Sequence, residues 1–182
     1  MCNDGGEVNT EPESISTPPV SGNETLLRQI GPGGNPLYFD PDREPVVHAA
    51  LFIPTSQDHD GLSLIRALFR SRPWAAYRTT KPDTRHRLAP LAEADLKHLA
   101  IEAGLPRLDF KPTPDDLDAR HGEPWAHCVA VQINRVDYKD KSDTSKNEAI
   151  KNWAKAVAAS LSLDHLEGPF DPPGANDPYR PN

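Results

Sequence analysis

Apolar positions in this chain follow two rhythms. Short runs rich in Val, Leu and Ile, such as Val46-Val47-His48-Ala49-Ala50-Leu51-Phe52-Ile53 and Ala126-His127-Cys128-Val129-Ala130-Val131, predict strands over 46–53 and 126–133. Leu62-Ser63-Leu64-Ile65, continuing toward Phe69, fits a strand or the start of a helix, because so short a run carries no decisive period. Arg87 to Leu91 and Leu108 to Phe110 read as further short strands. Helical spacing takes over where Ala92, Leu96, Leu99, Ala100 and Ala103 share one face, and Gly104 with Pro106 beyond it ends that helix. Ser71-Arg72-Pro73-Trp74 opens a shorter helix, with Ser as N-cap and Pro in the first turn, running to about Tyr77. The clearest helix follows Ser145-Lys146-Asn147-Glu148, which matches a capping box, and places Ile150, Trp153, Ala154, Val157, Ala158 and Leu161 on one side. Trp153 is therefore assigned to the core. Asn134 to Asp143 reads as a charged turn, and the charged, Pro-bearing stretch from Lys111 to Trp125 as a loop whose length suggests function or disorder.

Both ends lack this patterning. Residues 1–24 offer little to bury and are expected to be disordered, with the core starting near Leu37. Residues 168–182 contain prolines at 169, 172, 173, 178 and 181, which exclude helix or central strand and predict an extended tail. A solvated tail is the simplest reading; Phe170 and Tyr179 are the residues able to pin it to a groove, and a partner protein is the other possible host. Residues 25–167 then form one globular domain. Strands interspersed with helices imply a single mixed β-sheet of four or five strands packed by about three helices, either α+β or α/β.

Composition narrows the classes of function. The 182 residues carry a formal net charge of −7, which disfavours binding to nucleic-acid backbones through clustered cations. A basic segment survives within that acidic mean: Arg66, Arg70, Arg72, Arg78, Lys81, Arg85 and Arg87, with Trp74 and Tyr77 among them. It reads as a solvated helix face or as an anion-binding surface, which leaves nucleic acid open. Cys2 and Cys128 are poor candidates for a disulfide, no apolar run has the length of a membrane span, and the start has no signal-like pattern. A cytoplasmic protein is expected.

The candidate chemistry centres on His48 and His127, each opening an apolar strand-like run. If both runs are strands, His48 shares a face with Val46, Ala50 and Phe52, and His127 with Val129, Val131 and Ile133. Two imidazoles at the rims of apolar faces could act as general base and acid on one small substrate, with Arg66 holding an anionic group. Alternatively each ring bonds a loop carbonyl at the end of its strand. The spacing of the two histidines resembles that of the two-histidine phosphoesterases. However, Ala50 and Val129 stand where that family needs hydroxyls, so its chemistry does not transfer. A metal reading could draw on His121, Glu123, His127 and Cys128, but the paired spacings of structural zinc sites are missing, and no metal or cofactor is expected. Asp58-His59-Asp60-Gly61 reads as a turn, Ser63 lacks the second glycine of a nucleophile elbow, and Cys128 has no identifiable activating partner.

Across 47–133, His48, Phe52-x-Pro54, Gly61-Leu62-Ser63, Gly104 after a helix and His127 before an aliphatic run together resemble an uncharacterised family of short bacterial proteins. The resemblance implies a bacterial source and a small component of a multi-gene system, and carries no catalytic role. Two functions are expected on these grounds. The first is an accessory protein that binds another protein through the 111–125 loop or the Pro-rich end. The second is a small His-dependent enzyme acting on a phosphoester or ribosyl-containing substrate.

Overall fold

The computed structural model describes residues 17–31, 47–56, 58, 60–78, 82–113, 125–140 and 142–181. Over these residues five strands form one sheet in the order β3-β1-β2-β5-β4. They are β1 (Thr25–Ile30), β2 (Leu62–Arg66), β3 (Arg87–Ala92), β4 (Phe110–Pro112) and β5 (His127–Ala130). Every described pairing is antiparallel, which selects α+β from the two classes that the sequence left open. Four helices accompany the sheet among the described residues: α1 (Arg72–Ala76), α2 (Glu93–Glu102), α3 (Arg135–Lys139) and α4 (Thr144–Ala159). Both edge strands contain a proline, Pro90 in β3 and Pro112 in β4, which removes a donor from the rim and discourages edge-to-edge pairing.

Alternation along the strands gives the sheet two unlike faces. Leu26, Ile30, Leu62, Leu64, Ala89, Leu91, Cys128 and Ala130 are buried in the main core with α2, α4 and a 3-10 turn at Ala49–Phe52. Trp153 of α4 is fully buried there and donates its indole N–H to the Leu96 carbonyl at 3.1 Å. The opposite face carries Leu27, Ile65 and Leu88, and it is covered by Ala75 and Ala76 of α1 and by Phe170. Residues 168–181, though mostly exposed, do not run free: they form a strap with Phe170 packed on this second face and Tyr179 held beside α1. The strap is tied at both ends. Leu88 and Glu167 exchange two backbone hydrogen bonds of 2.9 Å, while Ser71 bonds the Pro178 and Tyr179 carbonyls and Trp74 the Asp177 carbonyl.

Several elements differ from the pattern expected of the sequence. The stretch 46–53 is not a strand in its described part, because Leu51 and Phe52 are adjacent and both buried against α4, which the 3-10 turn allows and the alternation of a strand on one face does not. The core begins before Leu37: β1 at Thr25–Ile30 lies inside the sheet. Its polar side chains disguised it, yet they are satisfied, since Arg28 donates to the Leu51 and Ser63 carbonyls and Gln29 to those of Ala75 and Tyr77. Residues 17–24 belong to the ordered structure, whereas 1–16 lie outside the described residues. The strand at 126–133 stops at Ala130, and the charged turn after it contains α3, capped by Asn134 Oδ1 accepting from the Asp137 N–H at 2.8 Å. Helix α4 is capped two residues early, by Asp143 Oδ1 accepting from the Lys146 N–H, so Ser145 and Glu148 do not form the expected box. Gly104 has φ +89° and ends α2 as its position suggested.

Candidate functional site

His127 opens β5 on the strapped face. In the strand register Ser63 faces Val129 and Ile65 faces His127, while Lys111 faces Val129 from the other side, so Ser63, Lys111 and His127 project from the same face of the sheet. The imidazole leans diagonally toward β2, where its Nε2 lies 2.6 Å from Ser63 Oγ. On the other side its Nδ1 lies 2.6 Å from Thr113 Oγ1 and 3.3 Å from the Thr113 carbonyl. A carbonyl only accepts, which assigns the proton of a neutral ring to Nδ1 and leaves Nε2 to accept from the serine hydroxyl. Ser63 is itself held from behind: its N–H bonds Asp58 Oδ1 at 3.3 Å, and Asp58 Oδ2 accepts from the Thr55 N–H and hydroxyl at 2.7 Å. Asp58 is buried as the hub of that turn, in keeping with the turn expected at 58–61. Gly61 completes it at φ +145°, where a Cβ would stand 2.5 Å from the Ala130 carbonyl oxygen.

His48 does not join this group. It is the N-cap of the 49–52 turn on the helix-bearing side of the sheet, and its Nε2 is buried with no hydrogen-bond partner among the described residues. Among the described residues no hydrogen bond links His48 to His127, Ser63 or Thr113. Arg66 is equally remote from any bound-anion role, being 1% exposed and engaged with Glu24, the Pro18, Pro19 and Trp125 carbonyls and the Phe69 ring.

Four other cations of the basic segment, Arg70, Arg72, Arg85 and Arg87, contact the strap. Arg72 pairs with Glu167 at 2.6 Å, Arg85 with Asp171 at 2.7 Å, and Arg87 donates to the Gly168 carbonyl at 3.0 Å. Arg70 donates to the Tyr179 hydroxyl at 3.1 Å and lies 5.5 Å from its ring, and Trp74 meets the same ring at 5.8 Å. Neither a solvated helix face nor an empty anion site describes these residues: Arg70, Arg72 and Trp74 in and before α1, with Arg85 before β3 and Arg87 at its start, receive an acidic, aromatic, proline-spaced segment. The visible clue in the sequence is the matched pair of compositions, cationic in 66–87 and anionic with Phe and Tyr in 167–179.

Cys128 is fully buried, and burial pushes its thiol up to about 12, reinforced by Glu24 and opposed by Arg66. Against an ordinary thiol near 8.5, that lowers the thiolate fraction about three-thousandfold at neutral pH. In the native protein Cys128 will resist iodoacetamide at pH 8 and react once the chain is unfolded in guanidinium, as peptide mapping will show; rapid native alkylation would contradict its burial. Of the possible metal ligands, His121 and Glu123 lie outside the described residues, and among those described no His, Cys, Asp or Glu cluster gathers that could hold a metal. No helix among the described residues is long and apolar enough to cross a membrane. Comparisons with protein-family models, curated proteins and solved structures give no match to this chain.

Proposed function

We propose that this chain is a cytoplasmic protein-interaction component, accessory to a bacterial multi-gene system, that binds an extended acidic segment of a partner protein on the face formed by α1 and β3. One observation carries the reading: that face already holds such a segment in cis, residues 167–179, through arginine–carboxylate pairs and an aromatic anchor. The pairs are releasable. Arg85 and Asp171 are 65% and 73% exposed and Arg72 and Glu167 33% each, so each pair contributes no more than about 1 kcal/mol. Main-chain pairing at the β3 edge plus separated side-chain anchors is also a general mode for capturing extended peptides. Residues 114–124 of the other surface expected to bind lie outside the described residues.

The test is competition between the resident strap and a soluble copy. A fluorescein-labelled peptide with the sequence of residues 166–181 is titrated onto the full-length protein and onto a Phe170→Ala/Tyr179→Ala variant, with anisotropy as the readout. The tethered strap acts as a competitor at roughly millimolar effective concentration. Binding to the variant is therefore expected to be at least about tenfold tighter than to the unmodified chain, and to be lost when Arg72→Glu is added. Equal affinity for both proteins, or none for either, overturns the proposal.

A further inference from the structure

Away from the strap-binding contacts, the same sheet face holds a second arrangement that the interaction reading does not use. We infer that Ser63 and His127 form a nucleophile and general-base pair for phosphodiester cleavage, with Thr113 as the positioning residue and Lys111 on the substrate's anionic oxygens. Three aligned groups support it: the Ser63 hydroxyl 2.6 Å from Nε2, the imidazole, and the Thr113 hydroxyl 2.6 Å from Nδ1. These are the separations a nucleophile, its base and the group orienting that base require.

Burial does not force this alignment. Ser63, Thr113 and His127 are each only partly buried, and partly exposed polar groups can bond water instead of one another. Register does not force it either, since the residue directly across from His127 is Ile65 and the ring reaches diagonally to Ser63. The substrate class follows from Lys111, an exposed cation at the end of the row Ser63–Val129–Lys111: one positive charge matches the single negative charge of a phosphodiester.

In the reaction the Ser63 hydroxyl proton passes to His127 Nε2 as Oγ bonds to phosphorus. The bond from phosphorus to the departing alkoxide breaks, and the imidazolium returns the proton to that oxygen. Water, deprotonated by His127, then attacks the phosphoserine, releasing a phosphomonoester and restoring the hydroxyl. Nδ1–H, held on Thr113, keeps Nε2 aimed at Ser63 throughout.

Diisopropyl fluorophosphate tests the pair without knowledge of the natural substrate, because serine attack expels fluoride and leaves a stable adduct. On the intact wild-type chain, tryptic mapping is expected to place one adduct on Ser63. His127→Gln is expected to slow labelling at least about a hundredfold, and Thr113→Val roughly tenfold, while Thr113→Ser, which keeps the hydroxyl, restores labelling to within a few-fold of wild type. Bis(4-nitrophenyl) phosphate is expected to be hydrolysed by the wild type, not by Ser63→Ala, and with a raised KM by Lys111→Met. No adduct, an adduct elsewhere, or undiminished labelling of His127→Gln overturns the pair, and labelling without diester turnover overturns the substrate class. The wild-type mapping does not depend on any variant folding, and failure of the strap competition would leave it untouched.

Discussion

Replacing Arg66 with Met will destabilise the fold by about 3–5 kcal/mol, the range for breaking a buried ion pair from one side. The guanidinium has five N–H donors, and five hydrogen bonds leave it. Nε and Nη2 fork onto the Glu24 carboxylate at 2.6 and 2.8 Å, Nη2 also reaches the Pro19 carbonyl at 3.0 Å, and Nη1 reaches those of Pro18 and Trp125 at 2.8 and 3.4 Å. The two charged side chains are 1% and 4% exposed, so Met would leave the Glu24 carboxylate in the interior without its cation. Urea unfolding is the measurement, and a loss below about 1 kcal/mol would show that the network is not built this way. Adding Glu24→Gln to Arg66→Met should recover part of the loss, since a neutral amide is cheaper to bury than an unpaired carboxylate. Recovery will be incomplete because the Pro18, Pro19 and Trp125 carbonyls still lose their donor. Arg66→Lys should rescue poorly, as a single ammonium cannot fork onto a carboxylate.

Trp153→Ala is expected to cost a comparable amount, about 3–5 kcal/mol. The indole is fully buried, stands edge-on to Phe52 with ring centroids 6.2 Å apart, and bonds the Leu96 carbonyl, so it joins α4, α2 and the 49–52 turn at one point. Alanine leaves a cavity where three elements meet and orphans that carbonyl. Trp153→Phe keeps most of the apolar contact and gives up the hydrogen bond, for a smaller loss of about 1–3 kcal/mol. Denaturant midpoints for the two variants separate volume from hydrogen bonding. Equal losses in both would mean that the N–H, rather than the ring, sets the cost.

What could be read in the sequence was whatever local periodicity determines. Helices α2 and α4, strand β3, the Gly104 stop and the burial of Trp153 all follow from the spacing of apolar residues and from end signals, which act within a few residues. What could not be read depends on distant partners. Arg28 and Gln29 make β1 look too polar for a strand until the Leu51, Ser63, Ala75 and Tyr77 carbonyls come within reach. Arg66 looks like a solvent-facing cation until Glu24 is placed beside it. The run around His48 shows the converse: eight mostly apolar residues suggest a strand, but lacking strict alternation they are equally served by a turn docked on a helix. At the candidate site, His127 was legible as an imidazole on a strand. Its partners Ser63 and Thr113 were not, because only the register of β2 against β5, and Thr113 following β4, sets them beside it.

The strap also governs how the chain must be made. Residues 167–179 follow every strand described here, so during translation the sheet can assemble while Leu27, Ile65 and Leu88 still await Phe170. Until those residues leave the ribosome, the nascent protein carries an apolar patch covered by α1 alone beside a row of arginines, the kind of surface that chaperones retain and neighbouring nascent chains stick to.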